Sequence, residues 1–186
     1  ISASKRLLTL VDEMLNYSNE PALLLSDQRC LQLNKLLKSV VELIDVPHSV
    51  KVNFPKVEHT LTCSSVALEQ IFLNLLTNAV RYNDKQEGVI NIQFREEGSY
   101  YKFKISDNGM GIAEKDLHKI FEKAVTLNAL DRFNKKGNGI GLHTVKLLVE
   151  KLHGSIHAES NIGEGTVFIF SVKKNIQLPA EGATAA

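Results

Sequence analysis

The sequence predicts a mixed α+β fold, a two-layer α/β sandwich in which a mixed, mostly antiparallel sheet is covered by a layer of helices. Residues 89–95 and 101–105 alternate apolar and polar side chains on either side of a Glu-Gly-Ser turn, which is the pattern of a β-hairpin. Residues 155–159 and 165–172 form a second such pair. Segments with helical periodicity lie before and between the hairpins, so helices and strand pairs are expected to pack as two layers.

Composition and charge exclude several classes of protein. The chain has 186 residues, which suggests one domain of ordinary size or one domain with an appendage, and 44% of them are hydrophobic and 23% charged, as in ordinary globular proteins. Lys and Arg number 22 against 21 Asp and Glu, a near-balance that argues against a dedicated nucleic-acid binder. Cys30 and Cys63 lie far apart, and the six histidines are scattered, so neither a disulfide framework nor a zinc site is predicted.

The chain opens at Ile1 without Met, and we expect it to be an excerpt of a longer protein. No apolar run approaches the roughly 20 residues of a membrane-spanning helix. We expect a cytoplasmic domain, which is compatible with a membrane-anchored parent protein.

The first element is predicted to be an amphipathic helix over residues 1–19, ended by Pro21. It is interpreted as half of a helical hairpin or a dimerisation element, the alternative being a helix folded back on the core. A second helix is predicted over residues 34–45, with Asn34 as its N-cap. Short strands are expected at 50–54 and 61–63.

A long helix is predicted over residues 65–82, with a serine at its start. A short helix follows at 116–121, and another helix at 141–153, with Gly154 as its C-terminal stop. The last residues, 178–186, are expected to be frayed.

One narrow side of the long helix is polar although the rest of its surface is apolar. This amide strip consists of Gln70, Asn74, Thr77, Asn78 and Arg81. Asparagine is a poor residue for a helix interior, so two at i and i+4 call for an explanation. The strip is either an ordinary solvated stripe or the lining of a cleft, in which its amide oxygens would suit Mg²⁺ shared with phosphates.

Two glycine-containing segments follow the hairpin strands. Asp107-Asn108-Gly109-Met110-Gly111 comes directly after a strand and is either a common turn or a loop that bends sharply beside a planar ligand. Gly137-Asn138-Gly139-Ile140-Gly141-Leu142 opens a helix, where free backbone N–H groups make an anion site. Residues 122–136 between them are predicted to form a mildly basic flap.

Taken in order, these segments resemble the ATP-binding fold shared by histidine kinases, gyrase-type ATPases and related chaperones, the GHKL superfamily. The resemblance covers residues 34–172. Residues 68–82 are similar to the N box of the family, 107–111 to its G1 box, 120–122 to its F box, 137–142 to its G2 box and 163–168 to its final glycine–threonine element. Residues 6–18 also resemble the second helix of the dimerisation hairpin of sensor histidine kinases.

The resemblance implies roles for individual residues. Asn78 would bind Mg²⁺ with Asn74 assisting, and Asp107 would accept a hydrogen bond from the 6-amino group of adenine. The residues implied in binding ATP are Asn74, Asn78, Arg81, Tyr82, Asp107, Gly109, Gly111, Ile112, Phe121, Lys136, Gly137, Asn138, Gly139, Ile140, Gly141, Leu142 and Thr166, with Asn74 and Arg81 as the catalytic pair. Ala124 departs from the family, because many relatives carry a second aromatic residue there.

Asn74 separates two mechanisms within the superfamily. Gyrase-like ATPases have a glutamate there that acts as general base, whereas an amide cannot accept a proton at neutral pH, so slow hydrolysis is expected. A kinase needs chiefly to position the γ-phosphoryl group and neutralise its charge. The usual phosphoacceptor box is absent from these residues, so we expect the chain to bind Mg·ATP without phosphorylating itself on histidine.

The prediction is therefore the catalytic ATP-binding domain of a sensor histidine kinase. Residues 1–20 would be the second helix of the phosphoacceptor hairpin, 30–175 the catalytic domain and 176–186 a flexible tail. The implied partners are ATP, the protein's own phosphoacceptor hairpin upstream of Ile1 and the receiver domain of a response regulator, but no nucleic acid. The full-length protein is expected to be a homodimer, whereas this chain alone could be a monomer. Alternatives are an anti-sigma-factor-type serine kinase, a gyrase- or chaperone-like ATPase and a nucleotide-sensing module without transfer.

Overall fold

A computed structural model of the protein describes residues 28–125, 132 and 139–174. In chain order its elements are β1 (Gln28–Gln32), α1 (Leu33–Leu43), β2 (Val50–Asn53), β3 (Thr60–Ser64), α2 (Ser65–Arg81), β4 (Gly88–Glu97), β5 (Tyr100–Asp107), α3 (Glu114–Leu117), α4 (Gly141–Lys151), β6 (Ile156–Asn161) and β7 (Gly165–Lys173). The predicted first helix over residues 1–19 and the predicted tail lie outside the described residues.

The predicted α+β sandwich is confirmed. Five strands form a sheet in the order β2-β4-β5-β7-β6, in which only the β2–β4 pair is parallel. Both predicted hairpins are present, β4–β5 and β6–β7. The alternating residues of the strands pack with the apolar sides of α1, α2 and α4 in one core. At its centre the ring of Phe72 on α2 meets Phe103 and Phe170 edge to face, at 5.4 and 5.7 Å.

A second, two-stranded sheet was not predicted. β1 pairs antiparallel with β3, with Leu31 opposite Leu61. The sequence of β1, Gln-Arg-Cys-Leu-Gln, lacks the alternation that identifies a half-buried strand, and only Gln28 and Leu31 are partly covered. Cys63 on β3 is buried and Cys30 on β1 is exposed, and the two do not form a disulfide.

The start of α1 differs from the prediction. The helix begins at Leu33, and its N-cap Gln32 makes no side-chain capping bond. Asn34 is therefore not the N-cap; its side chain donates to the carbonyl of Pro55 at 3.0 Å. The Glu58 carboxylate accepts the Asn34 backbone N–H at 2.8 Å instead. A capping group distant in sequence replaces the local one, and local pattern cannot reveal it.

The helices α2 and α4 have clear boundaries. Ser64 caps α2 by accepting the Ala67 N–H at 3.2 Å. At the end of α4, His153 takes the left-handed conformation and the Gly154 N–H donates to the Val149 carbonyl at 2.9 Å. Gly154 is needed for another reason, since a Cβ there would lie 1.8 Å from the Ser171 carbonyl oxygen. In the described part of the chain, no helix is long and apolar enough to span a membrane.

Candidate functional site

The amide strip of α2 faces the start of α4. Gln70 is buried, whereas Asn74 and Asn78 are half-buried. The Asn74 Nδ2 group donates to the Gln70 carbonyl at 2.9 Å. Its Oδ1 atom lies 2.8 Å from the position that a Cβ on Gly141 would occupy. Glycine at position 141 therefore lets the start of α4 approach the strip closely, and larger side chains would push the two helices apart.

Asp107 is the last residue of β5, and its half-buried carboxylate is held by backbone donors. The Gly109 N–H donates to Oδ1 at 2.8 Å, and the backbone N–H of Thr166 donates to the same carboxylate. Burial raises the pKa of Asp107 to about 6, and these two hydrogen bonds oppose the rise. A half-buried carboxylate held in this way is a suitable acceptor for a ligand donor.

The acid loop, residues 107–112, lies between the end of α2 and the β6–β7 turn. On the α2 side, the Met110 N–H donates to the Tyr82 carbonyl at 3.1 Å, and a Cβ on Gly109 would lie 2.5 Å from the same oxygen. On the turn side, Gly111 has φ +72° and leaves no room for a Cβ, which would lie 2.0 Å from the Asn161 carbonyl oxygen. The two glycines of the motif are explained by these close approaches.

Sequence reasoning missed two polar residues that hold the acid loop, Ser160 and Asn83. Ser160 accepts the Ile112 N–H at 2.8 Å and lies 3.0 Å from the Thr166 hydroxyl. Asn83, which is fully buried, donates to the Asn108 side chain at 2.9 Å. No pattern distinguishes these residues, because Ser and Asn are common in turns.

Phe121 connects the segment after α3 with α4. Its ring lies edge to face on Phe168 with centroids 6.3 Å apart, and its carbonyl lies 3.1 Å from the His143 Nδ1 atom. Ala124, which stands where many relatives carry an aromatic residue, donates its N–H to the Gly139 carbonyl at 3.1 Å. The F-box-like segment is therefore brought next to the G2-box-like one.

The described part of the second glycine motif begins at Gly139. Gly139 has φ +69°, Ile140 is the exposed N-cap of α4, and Leu142 packs against the core. Lys136, Gly137 and Asn138 lie outside the described residues.

Arg81 and Tyr82, at the end of α2, lie beside Arg132 of the predicted flap. The Arg81 guanidinium carbon lies 5.9 Å from the centroid of the Tyr82 ring. The Arg81 carbonyl accepts the Arg132 N–H at 2.8 Å, and the Arg132 Nη2 group donates to the Ser49 hydroxyl at 3.2 Å. At least this point of the flap contacts the end of the amide strip.

The few metal-ligating side chains of this site suit a cation that takes most of its ligands from water and from phosphate groups. Within the described residues, no three His, Cys, Asp or Glu side chains are grouped so that they could hold a metal ion. The Asn78 amide oxygen is a hard ligand on a half-buried surface. It fits Mg²⁺, which keeps several waters and takes further oxygens from phosphates.

The sequence of the chain matches a known family over residues 63–176, which include α2, the acid loop and α4. The family is described as histidine kinase-, DNA gyrase B- and HSP90-like ATPases. The chain belongs to this family. Sensor protein SrrB of Staphylococcus aureus strain MRSA252 is 32% identical over 94% of this chain and 30% of its own length. Cyanobacterial phytochrome B of Nostoc sp. strain PCC 7120 is 28% identical over 93% of this chain and 23% of its own length.

Solved structures show the same fold. A mycobacterial sensor histidine kinase, MprB, covers 78% of this chain with 98% of its own, at a TM-score of 0.67 and 20% identity. Full-length ShkA in complex with AMPPNP covers 92% of this chain with 37% of its own, at a TM-score of 0.70 and 24% identity.

The comparisons confirm the resemblance to the ATP-binding catalytic domain of sensor histidine kinases. This chain spans less than a third of the length of the two curated relatives. The individual roles of the site residues stay predictions.

Proposed function

We propose that this chain is the catalytic domain of a two-component sensor histidine kinase. It binds Mg·ATP between α2, the acid loop and α4, and it donates the γ-phosphoryl group to a histidine on a dimerisation hairpin. The observation that carries the proposal is the convergence of these segments: Gly141 approaches Asn74, while the acid loop contacts both Tyr82 and the β6–β7 turn. We infer that the full-length protein acts as a cytoplasmic kinase with a response-regulator receiver domain as its partner.

In this proposal the phosphates lie between the amide strip and the N-terminus of α4. Asn78 holds Mg²⁺ with Asn74 assisting, and Arg81 adds positive charge. Bound Mg²⁺ would neutralise charge on the phosphate oxygens. Backbone N–H groups at the start of α4, from Gly139 to Leu142, bind the phosphates as a helix N-terminus does, and the family resemblance adds Lys136, Gly137 and Asn138 to this set. A nitrogen of the acceptor histidine attacks the γ-phosphorus, and the bond to the β–γ bridging oxygen breaks, leaving ADP.

The adenine lies against the acid loop in this proposal. Asp107 accepts from the 6-amino group, and Tyr82, Gly109, Gly111, Ile112, Phe121 and Thr166 surround the base and ribose. Guanine has an acceptor oxygen where adenine has the amino group. Two acceptors would then face each other, at a cost of roughly 2–4 kcal/mol, so ATP should be preferred strongly over GTP.

Calorimetric titration of Asn78→Ala with Mg·ATP tests the proposal. The variant should lose Mg²⁺-dependent binding of ATP. Its thermal unfolding should be unchanged, because Asn78 is only half-buried and its substitution leaves the core intact. Asn53→Ala is the matched control, since Asn53 is also a half-buried asparagine but lies on β2, an edge strand. Unchanged affinity in Asn78→Ala, or equal affinity of the natural chain for ATP and GTP, would contradict the proposal.

The alternatives predict different results. A gyrase-like ATPase needs a general base, and the Asn74 amide instead donates to the Gln70 carbonyl. Rapid ATP hydrolysis by this chain would favour that alternative. A nucleotide-sensing module would bind Mg·ATP but fail to phosphorylate a supplied histidine hairpin, and a serine kinase would yield an acid-stable product.

A further inference from the structure

Asn83 is a polar residue that the protein buries completely. It is the second residue after α2, and none of its surface is exposed. Its Oδ1 atom accepts the Lys85 backbone N–H at 3.1 Å, and its Nδ2 group donates to the Asn108 Oδ1 atom at 2.9 Å. Burying an amide costs free energy unless its groups are paired. This amide is paired on both its oxygen and its nitrogen.

Asn108 extends the sheet by one residue beyond β5. The last pair of the β4–β5 ladder is Ile90 with Asp107. The Asn108 backbone N–H donates to the Val89 carbonyl at 3.2 Å, and its Oδ1 atom accepts the Val89 N–H at 2.7 Å. Its Nδ2 group donates to the Glu87 carbonyl at 3.0 Å. The residue next to Asp107 therefore has no freedom to rotate without losing several hydrogen bonds.

The direction of the Asn83–Asn108 bond is set by neighbouring backbone groups. The Val89 N–H must meet an oxygen, which makes the shared atom of Asn108 the acceptor. The Lys85 N–H must likewise meet an acceptor, so the Asn83 atom that it contacts is the amide oxygen. The nitrogen of Asn83 thus has to face Asn108, and neither amide can flip without opposing like groups.

The pair joins the two segments that carry the proposed nucleotide contacts. Asn83 follows α2, with Asn74, Asn78 and Arg81, while Asn108 follows Asp107. On its other side, Asp107 is held by the Gly109 and Thr166 N–H groups. Toward α2, the described contacts of the acid loop are the Asn83–Asn108 bond and the approach of Gly109 and Met110 to the Tyr82 carbonyl.

We infer that Asn83 and Asn108 are a positioning pair that sets Asp107 relative to α2 and thereby sets the choice of purine. This inference rests on the proposed function. Asp107 discriminates adenine from guanine only if its carboxylate stays where the 6-substituent lies, because a shift of about 1 Å would lose the geometry of the hydrogen bond. Neither asparagine touches the nucleotide in this account.

The test is Asn83→Asp in the full 186-residue chain, with dissociation constants for Mg·ATP and Mg·GTP measured by calorimetry. This change keeps the size of the side chain and its acceptor for Lys85 but replaces the donor to Asn108 with an acceptor. The ratio of the GTP to the ATP dissociation constant should fall by about tenfold or more. A purely structural role would lower stability without changing this ratio among folded molecules.

One isosteric control accompanies the test. Asn53→Asp alters another asparagine pair, since the Asn53 Nδ2 group donates to the Asn91 Oδ1 atom at 2.9 Å across β2 and β4. It makes the same chemical change away from the acid loop and should leave the ratio unchanged.

Asn83→Ser is the second variant, used if Asn83→Asp does not fold. Its hydroxyl keeps an acceptor for Lys85 but is too short to reach Asn108, so the ratio should again fall. A folded Asn83 variant whose ratio stays within about twofold of the natural chain would overturn the positioning role alone. Failure of the natural chain to bind Mg·ATP would overturn both this role and the proposed function.

Discussion

At the scale of single residues, Asp107 shows a conflict between burial and charge. Burial raises the pKa of its carboxyl group to about 6 from an ordinary value of 3.8, against two backbone hydrogen bonds that favour the charged form. A buried acceptor of this kind costs stability in the free protein. Such a cost is typical of residues kept for a ligand rather than for the fold.

The effect of Asp107 on the free energy of unfolding should depend on pH. Its folded pKa lies above the unfolded one, so between pH 4 and 6 the folded protein binds more protons, and its stability falls as the pH rises. We expect the unfolding free energy of the natural chain, relative to Asp107→Asn, to decrease from about pH 4 to about pH 6 and to be level above pH 7. Urea unfolding of both proteins across this range measures the difference. A difference that grows with pH would contradict the assignment.

At the scale of elements, the acid loop depends on close backbone contacts with its neighbours. Gly111 packs against the carbonyl of Asn161, and the Gly163 N–H donates to the Met110 carbonyl at 2.8 Å. Loop and turn are therefore expected to lose their structure together if one of these contacts is removed.

Substituting glycine by alanine tests that coupling. Gly111→Ala places a methyl group 2.0 Å from a backbone oxygen, whereas Gly98, with φ +55°, has no atom within 4 Å of its would-be Cβ. Gly98→Ala should cost about 1 kcal/mol, the conformational penalty alone. Gly111→Ala should cost at least about 2 kcal/mol more, from overlap with a backbone that cannot move freely. Equal losses in urea unfolding would show that the loop–turn contact is not rigid.

At the scale of the whole molecule, binding and transfer are expected to separate. The chain carries the features proposed for Mg·ATP binding, but residues 1–20 resemble only the second helix of the acceptor hairpin. With labelled ATP, the chain alone should acquire no acid-labile phosphate. Adding a separate histidine-containing hairpin should yield acid-labile, base-stable label on the added hairpin. Self-labelling on histidine by this chain would contradict the prediction.

Much of the fold was predictable because its signals are local. Alternation marks β4 to β7, and the apolar surface of α2 marks a buried helix. β1 and the Glu58 cap of α1 were missed because each depends on a contact between residues that are distant in sequence. β1 is a strand because it pairs with β3, and Glu58 is a cap because it accepts a backbone N–H at the start of α1.

The sequence by itself determined the fold class, the family and the order of the functional segments, since these follow from periodicity and from motifs that are contiguous along the chain. Only the tertiary structure decided what each motif residue contacts. Glycine at 109, 111 and 141 was explained only when the Tyr82 carbonyl, the Asn161 carbonyl and the Asn74 amide came next to them. Burial likewise raises the pKa of Asp107 and encloses the paired amide of Asn83. Desolvation depends on which residues are neighbours in space, and the sequence alone does not specify them.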